Sequence, residues 1–309
     1  MLSYEIVKNK PTILLAMTSL NQTEFEQLLV EFEGAWDAQP EKENRKRRAG
    51  GGRKPTLHRR AEQLFFILFY YKTYPLQSIL GFLFGLSQAQ ANEWIHRLSE
   101  ILKTALAGAE WLPERVGQQL ADALAENESH TYAQDGCERQ RQRPKDEEKQ
   151  RAYYSGKKKV HTVKNHLVVH TESRRVEYLS ETVAGKTHDK KMADEAELTF
   201  PTNATIEQDT GFQGYVAENA LTIQPKKKPR KQELTIGEKF INRCISSGRV
   251  VVENVIAGVK RCRIVKDVFR NWKADFNDLV MLIACGLHNL RTTNRHSTQT
   301  VKLLDLYFR

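Results

Sequence analysis

The chain has 309 residues, with 48 Lys plus Arg against 38 Asp plus Glu and a formal charge of +10. That length accommodates two domains, and the basic surplus favours polyanionic partners, above all nucleic acid, through phosphate neutralisation and counterion release. Cys137, Cys244, Cys262 and Cys285 are widely spaced without a CxxC or Cys/His zinc pattern, which argues against a disulfide framework and a zinc module.

These cysteines suit a reduced compartment, with Cys262 and Cys285 as small buried hydrophobes. The longest apolar runs, LFFILFYY (64–71) and LVMLIACGL (279–287), read as buried helices. They are too short to cross a bilayer of roughly 30 Å. The first residues lack a basic stretch followed by an apolar core, so no secretory leader and no membrane partner are expected. A cytoplasmic location follows as the expectation.

Residues 1–38 hold an N-terminal helical segment. Asn21 and Glu24 form a candidate capping box, followed by Phe25, Leu28, Leu29 and Phe32 at helical spacing. A basic, glycine-rich linker spans 39–57. Residues 58–125 then read as a small helical domain. HRRAEQLFFILFYYK (58–72) is apolar on most faces and should form its centre. In the next helix Pro75 suits the first turn, and Leu76, Ile79, Leu80 and Leu83 mark the expected buried stripe. Gly85-Leu86-Ser87 forms a tight turn whose serine can cap the helix after it. That helix turns Gln88, Gln90, Asn92 and His96 outward. Amide side chains at the start of the second helix can read adenine edges bidentately, so the pair is a candidate DNA-reading helix-turn-helix; an ordinary helical hairpin is the plainer alternative.

From about residue 128 the pattern changes to short β-like runs at 130–136, 158–171, 174–185 and 204–211, returning to helix after 238. Strands first and helices afterwards predict an α/β domain over 126–295 with a mixed sheet flanked by helices, and a tail at 296–309. Two of the strand-like runs end alike, with Asp135 before Gly136 and Asp209 before Gly211. A third acid, Glu253, lies in a predicted helix with Arg249 and Lys260 on the same face. Singly, each acid has a plain use in a turn or a surface ion pair.

The stretches DGCERQRQRPKDEEKQRAYYSGKKKVHTVKN (135–165), AGKTHDKK (184–191), DTGFQGY (209–215), PKKKPR (225–230) and NRCISSGRVVVENVIAGVKR (242–261) resemble the DDE-class transposases of bacterial insertion sequences, in the branch similar to Harbinger transposases. The resemblance implies an RNase-H-like fold. It makes Asp135, Asp209 and Glu253 the catalytic, metal-holding acids, and Arg249 and Lys260 the basic residues around the last of them. The family pattern has a tyrosine three positions before that arginine, where this chain has Ser246. His188 and Asp189 match a family motif and suit a supporting or helix-capping role.

Cleaving a phosphodiester calls for an activated oxygen nucleophile and a stabilised leaving oxygen, which two Mg²⁺ ions about 4 Å apart can supply. Carboxylates are the hard ligands Mg²⁺ prefers, and Mn²⁺ can substitute. The expected activity is Mg²⁺-dependent strand cleavage and strand transfer on double-stranded DNA, both transposon ends and target. A homodimer in the DNA complex and association with the nucleoid are expected. Lys157, Lys158 and Lys159, with Lys226–Lys228, are candidate phosphate contacts, although exposed lysine runs are commonly just solvated loops. Tyr153 and Tyr154 suit sheet packing, with base stacking as the other use. The alternatives are a transposase-derived DNA-binding protein without cleavage and an RNase-H-like nuclease without strand transfer.

Overall fold

A computed structural model describes residues 1–39, 55–127, 129–228 and 233–307, and within these not the side chains of 241, 244, 246–249 and 296–307. It divides into two compact units, Met1–Trp111 with Arg261–Ile264, and Leu112–Lys260 with Val265–Arg309.

The first unit is helical: α1 (Tyr4–Val7), α2 (Pro11–Thr18), α3 (Gln22–Asp37), α4 (Arg60–Thr73), α5 (Gln77–Phe84) and α6 (Gln88–Gly108). At α3 the Asn21 side chain accepts from the Glu24 amide at 2.9 Å and Glu24 accepts from the Asn21 amide at 2.9 Å, satisfying two donors that a helix start leaves open. Every residue of α4 from Gln63 to Tyr71 is buried, so this helix is the centre of the unit. Phe65, Phe66 and Phe69 close on Phe84 of α5, with ring centroids 5.9, 5.0 and 5.7 Å away. Two guanidinium groups stand over the ring of Trp36 at the end of α3, Arg60 at 4.1 Å and Arg97 at 4.3 Å.

Two expectations need correction here. Pro75 precedes α5, whose N-cap is Leu76. The buried stripe is Leu80, Gly81 and Phe84, while Leu76 and Ile79 stand 52% and 50% exposed. The reason is phase: Phe84 claims the inward direction, and only positions four and three before it share that face.

The second unit opens with α7 (Leu120–Ala123), followed by β1 (Thr131–Gln140), α8 (Glu147–Tyr153), β2 (Tyr154–Ser155), β3 (Val160–His170), β4 (Val176–Leu179) and β5 (Val183–Ala184). Then come α9 (Asp189–Ala196), β6 (Thr199–Gln208), β7 (Glu218–Ile223), α10 (Ile236–Val259) and, after α11 (Arg263–Lys266), whose first two residues belong to the first unit, α12 (Phe276–Tyr307). The main path of the sheet runs β2-β3-β1-β6-β7, with β4 and β5 also on β3. β3 is antiparallel to β1, whereas β6 is parallel to β1 and β7 to β6. This mixed, helix-flanked arrangement is RNase-H-like. On one face Tyr132, Val168 and Ile206 pack with Ala193 of α9 and Phe212. On the other face α10 packs on β1 and β6. Arg291 of α12 donates to the Gly258 carbonyl of α10 at 2.9 Å, tying these two helices together.

Strand β1 departs from expectation, because it does not end at Asp135-Gly136. It runs on to Gln140, pairing Asp135 with Leu167 and Gly136 with His166 of β3. What stops there is the parallel ladder with β6, whose last pair is Gln134 with Gln208. Tyr153 closes α8, and Tyr154 lies in a two-residue edge strand with 44% of its surface exposed, so neither packs inside the sheet. Among the described residues no helix is long and apolar enough to cross a membrane. Cys137, Cys262 and Cys285 are buried thiols outside any disulfide; the side chain of Cys244 lies outside the described residues.

Candidate active site

Side chains alternate across a strand, so the two faces of β1 and β6 carry different sets. Gln134 and Gln208, opposite each other in register, point to the α9 face. Their Nε2–Oε1 hydrogen bond measures 2.5 Å. Asp135 and Asp209 follow immediately, one position beyond the last ladder pair, and therefore share the α10 face. Both carboxylates are half-buried. Asp135 Oδ1 accepts from the Gly136 amide at 2.7 Å, and Asp209 Oδ1 accepts from the Thr210 amide at 2.6 Å. Asp209 is extended (φ −80°, ψ 166°) and begins a short 3-10 turn over Thr210–Phe212, which releases the chain from β6.

Glu253 is exposed on α10, the helix on that same face, and Lys260 is the C-cap of the helix. The side chains of Arg249 and Ser246 lie outside the described residues. Burial pushes the Cys137 thiol up from its ordinary value, while the Lys260 and Arg139 charges pull it down and Asp135 adds to the rise. Among the described residues, no group of three or more His, Cys, Asp and Glu side chains is gathered to hold a metal ion. The structure thus sets Asp135 and Asp209 one position beyond the last pair of the β1–β6 ladder and Glu253 on the covering helix, without drawing the three into one cluster. Clustered carboxylates repel in the absence of a cation. The donors themselves are all hard oxygens on one face, which fits Mg²⁺ or Mn²⁺.

The pair His188–Asp189 enters from the other side. His188 is the N-cap of α9, its Nδ1 accepting from the Lys190 amide at 3.4 Å. Asp189 Oδ1 is 3.1 Å from Lys164 Nζ, and that ammonium also donates to the Thr187 carbonyl at 3.0 Å. A Cβ at Gly136 would collide with Asp189 Oδ1, and one at Gly211 would stand 2.9 Å from Asp189 Oδ2. The glycines after Asp135 and Asp209 therefore make room for the Asp189 carboxylate, which lies against both strands just where they pass their acids.

The other candidate contacts are placed as follows. Gln88 and Gln90 are exposed on the first turn of α6. Gln90 Oε1 accepts from the Ser87 amide at 2.9 Å while Ser87 Oγ accepts from the Gln90 amide at 3.2 Å, so this glutamine doubles as a cap. Asn92 donates to Gln77 Oε1 at 3.2 Å, and His96 is half-buried. Lys157, Lys158 and Lys159 are exposed, but Lys158 Nζ is 3.7 Å from Glu138 Oε2. Burial opposes ionisation of Glu138, but hydrogen bonds from Ser155 and Thr162 together with the Lys158 and Lys164 charges outweigh it, holding the carboxyl below its usual range. Lys226 and Lys228 are ion-paired with Glu238 and Glu233.

Residues 134–289 match the family model described as DDE superfamily endonuclease, half of the chain. The chain belongs to this family. In this DDE superfamily endonuclease, residues 57–108 match a second model, the helix-turn-helix of DDE superfamily endonucleases. Its sequence is 27% identical over 232 residues to the "Probable transposase for insertion sequence element IS702" of Microchaete diplosiphon, covering 74% of this chain and 79% of that one. No solved structure matches.

Sequence reasoning missed the polar layer behind the endonuclease's acids. His166 on β3 is fully buried, with Nε2 2.9 Å from Gln134 Oε1. A consistent chain of donors runs from His166 Nε2–H to Gln134, from Gln134 to Gln208, and from Gln208 Nε2 to the Tyr215 carbonyl at 3.3 Å. Burial pushes the His166 pKa down to about 3, so the ring is neutral. The only signal in the sequence is a glutamine before each aspartate, which has meaning only once the two strands are paired.

Proposed function

We propose that this chain is a DNA transposase acting on the ends of an insertion sequence, with Asp135, Asp209 and Glu253 as its catalytic acids. The observation that supports the reading is that both aspartates directly follow the last pair of the β1–β6 parallel ladder, in strands that the Glu253 helix covers. Membership of the endonuclease family and likeness to a relative described as a transposase support it.

In this reading the three acids would hold two Mg²⁺ ions, Mn²⁺ being able to substitute. Bound there, the ions would supply an activated oxygen nucleophile and charge neutralisation at the leaving oxygen. The protein's own work is placement. Backbone amides of Gly136 and Thr210 fix the rotamers of Asp135 and Asp209, and α10 presents Glu253 with Lys260 about two turns further on. Arg249 and Lys260 would hold phosphates beside the acids, while Lys157 and Lys159 extend the basic track and His188 and Asp189 support the site from α9. Gln88, Gln90, Asn92 and His96 would meet the end DNA through the helix-turn-helix, with Asn92 free to exchange its Gln77 partner. Joining two ends to a target calls for at least two copies in the DNA complex, acting in the cytoplasm at the nucleoid.

The test is Asp209→Asn in the full chain. Mg²⁺-dependent cleavage of transposon-end DNA should vanish while duplex binding persists. Retained cleavage refutes the assignment, and absence of joined product from the unaltered protein refutes strand transfer.

A further inference from the structure

Beyond the acids, the second unit carries a cleft of about 480 Å³ whose lining joins Arg141, Lys145, Lys149, Tyr153 and Trp272. The guanidinium carbon of Arg141 stands 4.4 Å from the Tyr153 ring centroid and 5.5 Å from that of Trp272. Trp272 is nevertheless 56% exposed, a large aromatic surface left open to solvent. Arg141 is held by ring faces rather than by a carboxylate, and its Nε is buried with no hydrogen-bond partner. Asp146 is the acid in the lining, and its side chain already accepts from the Lys149 amide at 2.8 Å as the cap of α8. Three cations against one engaged carboxylate leave the cleft positive, with a guanidinium donor that lacks an acceptor.

Exposed aromatic faces beside unsatisfied cationic donors are what a nucleotide requires, the base on a ring and the phosphate on Arg or Lys. The volume falls within the range of about 300–1,000 Å³ that encloses a drug-sized molecule, which one nucleotide is. Bases inside a duplex are stacked on their neighbours and offer no free face, so the matching ligand is an unpaired one. The position is informative as well. Arg141 is six residues along the chain from Asp135, and at strand rise that is about 20 Å, or roughly six nucleotides of B-form rise.

We propose that this cleft is a subsite for an unpaired nucleotide of a DNA strand, the base stacking on Trp272 and Tyr153 and the phosphate bound by Arg141, Lys145 and Lys149. The identity of the strand as DNA rests on the transposase reading; the geometry of the cleft does not. The site lies away from the catalytic acids, and its loss leaves them untouched.

The experiment compares binding of a labelled oligothymidylate and a labelled duplex to the full-length chain by fluorescence anisotropy. Trp272→Leu and Tyr153→Leu should each weaken single-strand binding about tenfold, the worth of one base–aromatic stack. Duplex binding should be unchanged, and Trp272→Phe should keep most of the single-strand affinity. Oligothymidylate should also quench part of the tryptophan emission in the parent protein but not in Trp272→Phe. Because Trp272 is exposed, melting temperatures of the parent and the two Trp272 variants should agree. Unchanged single-strand affinity overturns the proposal, and so does an equal loss on both probes, which would mark a plain phosphate contact. Should the parent bind duplex but not the single strand, the subsite fails while the transposase reading stands; binding to neither would overturn both.

Discussion

Replacing His166 with glutamine probes the buried layer that backs the acids. In the folded chain the imidazole titrates near 3, against an ordinary value of 6.5. Between those values the unfolded chain takes up a proton that the folded chain refuses, so stability is complete above 6.5 and falls with pH by about 1.4 kcal/mol per unit below it. At pH ~5 this single group costs about 2 kcal/mol, equivalent to roughly 4–8 °C in melting temperature for a unit of this size. Glutamine retains an N–H at the distance of Nε2 to donate to Gln134 and has nothing to protonate. Differential scanning calorimetry at neutral and mildly acid pH is the assay. The parent should lose several degrees more than His166→Gln on acidification. Equal losses in the two proteins would show that the histidine is not held neutral, and the reasoning about the layer would fall with it.

Other residues give equally direct outcomes. Gly136→Ala pushes a methyl group into the Asp189 carboxylate and should destabilise by about 1–3 kcal/mol in denaturant unfolding; combining it with Asp189→Ala should restore part of the loss, and strict additivity would contradict the close approach. Ser87→Ala removes the cap of α6 and should cost about 1 kcal/mol, read from thermal melting of the helical unit. Glu253→Gln should abolish Mg²⁺-dependent cleavage and leave duplex affinity intact in a gel-shift assay; cleavage at the parental rate would remove Glu253 from the catalytic set.

Local signals carried the helical unit well. The Asn21–Glu24 box, the all-round apolar α4 and the Gly85-to-Ser87 turn each declare themselves within a few residues. The exposed Leu76 and Ile79 did not, since the phase of α5 is set by Phe84 meeting aromatics from α4. In the sheet, Asp209 reads as a strand exit because β6 does end there. Asp135 misleads: Asp-Gly is a turn signal, yet β3 pairs across it from some thirty residues downstream and keeps the strand going. The glycines beside the acids show the same limit. Their need for space comes from Asp189, on a helix between the two strands, and no short-range pattern encodes that neighbour. Tyr153 and Trp272 are far apart in the chain and come together around Arg141.

The paired amides of Gln134 and Gln208 have a mechanical consequence. Strands that slide by a single residue exchange inside for outside, and a purely oily seam resists such sliding only through shape. Here a slip would also tear open a buried polar string, leaving donors stranded away from water, so misalignment carries a penalty beyond lost packing. The glutamines act as a pin through two adjacent boards: they decide which residues of the two strands come to stand opposite each other at the end of the ladder.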